Sequence, residues 1–130
     1  MEKREILKET DLFVLDMGGT FYLDTDVLDG ALDFLEEVKK AGKRYVFFTN
    51  NSSKSPKTYI DKLAKMGCYI KRNQIITSGD VMIQYLKEYY PEKKVYLVGT
   101  PDLEENFREN GILLTREMPD VVVIGFDMTL

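Results

Sequence analysis

Short apolar runs recur along this chain. Each is closed by a polar or glycine-bearing edge and followed by apolar residues at helical spacing. Leu12–Leu15, Tyr45–Phe48, Ile75–Thr77, Val95–Val98 and Val121–Ile124 read as strands, because runs this short, rich in β-formers and bounded by turn residues, suit a strand better than a helix. Leu12–Leu15 reads as buried on both faces. Helix signals fill the gaps. Asp29 caps a helix to about Ala41 with Gly42 as its stop, and Ser55-Pro56 opens one that stops at Gly67. Ser78 caps one from Gly79 to Tyr90 ended by Pro91, and Thr100-Pro101 opens one ended by Gly111. Strand alternating with capped helix predicts a doubly wound, mainly parallel α/β sheet. A chain of 130 residues is read as one domain, residues 1–130.

The finer pattern adds detail. Ala31, Leu32, Leu35 and Val38 form one apolar stripe, and Met82, Tyr85, Leu86 and Tyr89 a second, both expected to face a core. Glu36 and Lys40 are spaced for an i,i+4 pair. The first ten residues read as a polar lead-in, and Thr20–Asp29 as a surface connection. Lys54 and Lys57 flank the edge after the second strand; a solvated face accounts for them.

Chemistry concentrates where the first strand ends. Asp16 stands at its carboxyl end, and Gly18 and Gly19 let the backbone turn sharply beside it. Ligands of open α/β sheets bind in that crevice. A carboxylate there serves as a metal ligand or a nucleophile, with turn amides left for an anion; the plain alternative is an Asp that caps a turn. The second strand ends in Thr49-Asn50-Asn51-Ser52. A strand, a crossover helix and a second strand make a right-handed unit with parallel strands. Parallel neighbours lie about 5 Å apart and end on one edge, so Asp16 and Thr49 are expected at one pocket.

Composition excludes several classes. With no histidine, His-based triads and His metal sites are ruled out, and the single cysteine, Cys68, excludes an internal disulfide and a multi-cysteine zinc site. Any metal must then be held by oxygen, which favours magnesium. A net charge of −4 argues against a nucleic-acid partner. The charged start, Met1–Glu5, with no long apolar run after it, predicts neither signal peptide nor membrane span, and hence a cytoplasmic protein.

Asp16-Met17-Gly18-Gly19-Thr20 resembles the Asp-x-Asp-Gly-Thr signature of the haloacid-dehalogenase-like phosphatases. More narrowly it resembles their 4-nitrophenyl-phosphatase and nucleotide-monophosphatase branch, subfamily IIA, which carries an inserted α/β cap. Phe47-Phe48-Thr49-Asn50-Asn51-Ser52 is similar to the family's second motif, and the order of elements from Leu12 to Asp127 follows the branch. The resemblance implies a partial Rossmann-like core, its N-terminal part, ending at the cap insertion point with the cap and C-terminal half absent. It also implies an aspartyl-phosphate route: Asp16 as nucleophile and magnesium ligand, the Gly18 backbone carbonyl as second ligand, and Thr49, Asn50 and Asn51 about the phosphoryl group of a small phosphorylated metabolite. Thr20–Asp29 corresponds to the family's mobile flap.

Gly18 stands where the family has its acid/base Asp, and the family's later lysine and acidic pair are not in this sequence. The expectation is a chain that is inactive or severely impaired, holds Mg2+ weakly or not at all, and self-associates through an exposed first-strand edge. The alternatives are a non-catalytic phosphate-binding or interaction module and, behind it, a receiver-like phospho-acceptor, which wants an early acidic pair and a late lysine.

Overall fold

Most of the polar lead-in is helical. In the computed structural model, which describes residues 2–126, Lys3–Glu9 form a helix, α1, with Glu5 in its first turn and Lys8 in its last. Those charges complement the helix dipole. Its end is tied from afar: the Lys43 ammonium donates to the Leu7 carbonyl and, at 2.8 Å, to that of Lys8. None of its residues is buried, so no apolar stripe announced it.

The next strands are β1 (Leu12–Leu15), β2 (Tyr22–Leu23), β3 (Asp26–Val27), β4 (Arg44–Thr49) and β5 (Ile75–Thr77). One sheet has the order β1-β4-β5. β1 and β4 run parallel, with Leu12 opposite Arg44 and Leu15 opposite Phe47. β1 therefore lies at a sheet edge and is not buried on both faces: Leu12 and Val14 are 45% and 61% exposed. The segment expected to be a surface connection is instead an antiparallel hairpin of β2 and β3, Tyr22 opposite Val27. Its Phe21 and Tyr22 are buried, which is what fastens the segment down.

Helix α2 (Ala31–Lys40) starts two residues after Asp29, which does not cap it. Gly30, at φ +84°, turns the chain into the helix with no side-chain cap. On its exposed face Glu36 pairs with Lys39 at 3.8 Å and Glu37 with Lys40 at 3.6 Å, so the pairs formed are i,i+3. Helix α3 (Pro56–Lys65) opens as expected, the Ser55 hydroxyl accepting the Thr58 N–H at 3.3 Å.

The rest comprises helices α4 (Ser78–Tyr89) and α5 (Pro101–Glu109) and strands β6 (Lys94–Val98), β7 (Leu113–Leu114) and β8 (Val121–Ile124). β6 is central in the order β7-β6-β8, parallel to both neighbours. α4 is capped one residue earlier than expected, by Thr77, in a reciprocal box with Asp80. Its buried face is Gly79, Ile83 and Leu86. Tyr85 and Tyr89, expected in the core, are 47% and 61% exposed and pack on each other at 4.8 Å between ring centroids. The helix is turned this way because Gly79 meets α5 closely: a Cβ there would lie 2.9 Å from Leu103 Cδ1.

The fold is α/β with parallel sheets, and its contacts gather into two compact units. One holds the residues up to Phe48 with Ile60–Ile75; the other holds Thr49–Tyr59 with the residues from Ile76 on. Each has its own core, which is the physical reason for the division. In the first, Phe21 and Tyr45 pack edge-on to Phe47, with Leu35, Val38, Leu63 and Ile75 also buried. In the second, Ile83, Leu86, Val95, Leu103, Phe107 and Val123 form the cluster. Cys68 is a free, buried thiol, and burial pushes its pKa up.

Candidate functional site

The turn after β1 is built around one carbonyl. Met17 is fully buried, and its C=O accepts from Thr20 N at 3.1 Å and Phe21 N at 2.8 Å. The Gly19 N–H donates to the Tyr22 carbonyl at 2.8 Å, and Gly19 has φ +84°, a left-handed conformation that glycine adopts without strain. Asp16 enters this turn with an exposed side chain whose Oδ1 accepts the Met17 N–H at 2.9 Å. The second carboxylate oxygen takes no part in that bond. Asp16 is felt at Tyr22, whose phenol pKa is raised by burial first and by the Asp16 charge second. The Lys62 ammonium sits 4.4 Å above the Tyr22 ring.

Gly18 is passed over by the bonds that close the turn. Its carbonyl is thus left for another partner, and a Cβ at this position would meet nothing within 4 Å. For a hard cation the donors fit in kind: one carboxylate oxygen and one carbonyl. Among the described residues no group of three or more His, Cys, Asp or Glu side chains converges.

The loop after β4 is stitched differently. Thr49 closes β4 and is buried, while Asn50 and Asn51 are exposed. The Thr49 hydroxyl oxygen accepts the Asn51 N–H at 3.2 Å, and Asn51 Oδ1 accepts the Ser53 N–H at 2.9 Å. The Thr49 O–H is left to donate, whereas the Asn51 amide is already engaged. Asn50 C=O accepts the Ser78 hydroxyl at 3.0 Å, and the Ser52 hydroxyl accepts the Phe126 N–H at 2.7 Å.

Of the sequence-predicted residues, Asp16 and Gly18 share one turn. Thr49, Asn50 and Asn51 lie in one loop. The strands before them are parallel neighbours, Leu15 opposite Phe47. Asp127 falls outside the described residues. Lys57 is exposed, as expected of a solvated face; Lys54 lies 5.9 Å from the Tyr59 ring centroid. A separate cleft of about 290 Å³, lined among others by Tyr96, Glu104, Arg108 and Arg116, holds none of the predicted residues, and its Arg108 is closed onto Glu104 at 3.6 Å.

Sequence reasoning missed Asp102. Its Oδ2 accepts the Ser55 N–H at 2.7 Å and the Thr58 hydroxyl at 2.8 Å. Burial raises this carboxyl, but the hydrogen bonds from Ser55 and Thr58, with the Lys54 charge, more than offset it and hold the pKa below the ordinary carboxylate range. The only signal was an acidic residue after a Thr-Pro helix start, which ordinarily just complements the dipole.

The acid sugar phosphatase of Staphylococcus aureus (strain USA300) is 33% identical over 122 residues, which make up 93% of this chain and 47% of that protein. The crystal structure of 4-nitrophenylphosphatase from Thermotoga maritima matches with TM-score 0.91 and 43% identity, covering 96% of this chain and 48% of that one. The glycerol phosphate phosphatase of Mycobacterium tuberculosis, solved in complex with magnesium, matches with TM-score 0.84 and 29% identity over 95% of this chain and 38% of that one. The chain thus spans about half the length of the curated relatives it matches. The model for haloacid dehalogenase-like hydrolases matches residues 13–113, and on that match the chain belongs to this family.

Proposed function

We propose that this chain carries the nucleophile and the phosphate loop of a magnesium-dependent phosphoric monoester hydrolase acting on a small phosphorylated metabolite in the cytoplasm. The observation that carries the reading is the parallel register of β1 and β4, Leu15 opposite Phe47. Asp16 lies one residue beyond that pair and Thr49 two. An Asp16 carboxylate oxygen attacks phosphorus, the bond to the leaving oxygen breaks, and the phosphoryl group rests on Asp16. The Thr49 hydroxyl and the Asn50 amide donate to the phosphoryl oxygens, with Asn51 beside them. Charge spread over those oxygens makes positioned donors the main source of catalysis. The Asp16 carboxylate and the Gly18 carbonyl would hold magnesium, weakly if by these two oxygens alone, and it would supply charge neutralisation at the phosphoryl group.

Glycine at position 18 offers no proton to the leaving group and no base for the attacking water. Such groups contribute typically ~10²–10⁴-fold. The chain as it stands is therefore slow or inactive, least impaired with a leaving group such as 4-nitrophenolate, which needs no proton. With 4-nitrophenyl phosphate and magnesium, the expected result is a burst of no more than one 4-nitrophenolate per chain, lost in Asp16→Asn. Gly18→Asp, for which there is room, should convert the burst into turnover. Steady hydrolysis that survives Asp16→Asn would sink the reading.

The exposed Leu12 and Val14 on the β1 edge favour self-association, since such edges template pairing with another chain. A stable monomer on size-exclusion chromatography at high concentration counts against it. The second reading is a non-catalytic phosphate-binding or interaction module, favoured by Gly18. It predicts phosphate binding at the Thr49 loop with no burst. The net charge of −4 argues against a nucleic-acid partner. Among the described residues no helix is long and apolar enough to cross a membrane.

A further inference from the structure

We infer that Asp102 is a positioning residue for the Thr49–Ser55 loop, holding its phosphate-binding end in shape from the first turn of α5. The inference rests on the reading that this loop holds a phosphoryl group. Asp102 Oδ2 takes both the Ser55 N–H and the Thr58 hydroxyl, partners 47 and 44 residues away in sequence. Next to it the Thr100 hydroxyl donates to the Ser53 carbonyl at 2.7 Å while its oxygen caps the Leu103 N–H. Two side chains of one helix start thus grip both ends of Ser53-Lys54-Ser55. Ser53 and Ser55 are buried, so water cannot readily replace bonds lost there.

From Ser53 the loop is a relay of two bonds. The Ser53 N–H is held by Asn51 Oδ1, and the Asn51 N–H by the Thr49 hydroxyl oxygen. A shift at Ser53–Ser55 therefore reaches the hydroxyl assigned to the phosphate. Lys54, Ser55 and Thr58 are the groups that act on the Asp102 carboxylate, and their sum keeps it ionised to lower pH than usual, despite its burial. The grip is accordingly charge-assisted, the stronger kind of hydrogen bond.

The test is amide-resolved NMR on the full chain with inorganic phosphate as the probe. In wild type the Asn50–Ser52 amides should shift and saturate. Asp102→Ala should weaken phosphate affinity about tenfold, and Asp102→Asn, which keeps an acceptor but no charge, by less. Amide exchange at Asn51 and Ser53 should quicken in both variants by a larger factor than at Val95 and Phe107, a pattern that general destabilisation, which quickens core and loop alike, would not give. The Ser55 amide should also titrate with an apparent pKa below the usual carboxylate range, a transition absent in Asp102→Asn. Wild-type affinity and wild-type loop exchange in both variants overturn the inference. If wild type shows no phosphate-induced shifts, the phosphate reading falls, and exchange alone decides whether Asp102 sets the loop. Should Asp102→Ala not fold, Thr58→Val, which removes one of the two bonds, carries the same comparison.

Discussion

The turn after β1 and the loop after β4 follow neighbouring parallel strands, yet they are held by opposite means. Asp16–Tyr22 closes on itself. Most of its bonds span five residues or fewer and gather at the Met17 carbonyl and Tyr22; beyond them, Asp16 Oδ1 accepts the Met17 N–H and the Phe21 carbonyl accepts the Leu28 N–H. Thr49–Ser55 depends on distant partners: Asp102, Thr100 and Phe126, the last 74 residues from Ser52. A self-closed turn keeps its shape wherever its strand is formed. A loop tied to a distant helix start is only as well shaped as that helix is well docked. On this account the nucleophile is positioned by local sequence, and the phosphate donors are positioned by the second unit's own fold.

That contrast can be broken at several points. The largest effect should come from Met17→Ala, which empties a fully buried site under the turn and should cost about 2–5 kcal/mol in denaturant unfolding. A loss below about 1 kcal/mol would mean that the turn is not anchored there. Next, Asp102→Ala should cost about 1–3 kcal/mol, because buried Ser55 loses a charged acceptor. The sign with pH follows from a carboxyl held below its ordinary value. The contribution is fully present above the unfolded-state carboxylate range and is lost as pH falls through the lower, folded value. The stability gap between wild type and Asp102→Asn should therefore stay constant at neutral pH and close in acid; a gap independent of pH would contradict the charge-assisted grip. Smaller still, Gly19→Ala should cost about 1–2 kcal/mol from its left-handed φ alone, since no atom stands within 4 Å of the added Cβ. Gly18→Ala, with neither strain nor clash, should change stability by under about 0.5 kcal/mol. Equal losses at the two glycines would show that the turn does not have the shape described.

The same contrast explains what could be read in the sequence. The apolar runs, the Thr-Pro and Ser-Pro helix starts and the strand-ending Asp16 and Thr49 are local signals, and each stands where its pattern predicts. Local pattern failed where distant packing decided. α1 buries none of its residues and is tied at its end by Lys43. Tyr85 and Tyr89 have helical spacing with Leu86, but close approach of Gly79 to Leu103 turns them outward. The apolar run of β1 suggested burial on both faces, yet Leu12 and Val14, which share one face of the strand, are exposed. At the candidate site, the turn that holds Asp16 and Gly18 was legible because its residues lie close together in sequence. Asp102 was not, because its partners lie more than forty residues away.

The central claim is that the Asp16 carboxylate takes a phosphoryl group with the help of donors from the Thr49 loop. It is tested most directly by acid-quenching the chain after reaction with 4-nitrophenyl phosphate and magnesium, then mapping the phosphoryl group by peptide mass spectrometry. The account predicts one phosphoryl group, on the peptide containing Asp16, absent in Asp16→Asn and reduced in Thr49→Ala. A phosphoryl group on any other residue, or 4-nitrophenolate released with Asp16 never modified, would contradict it.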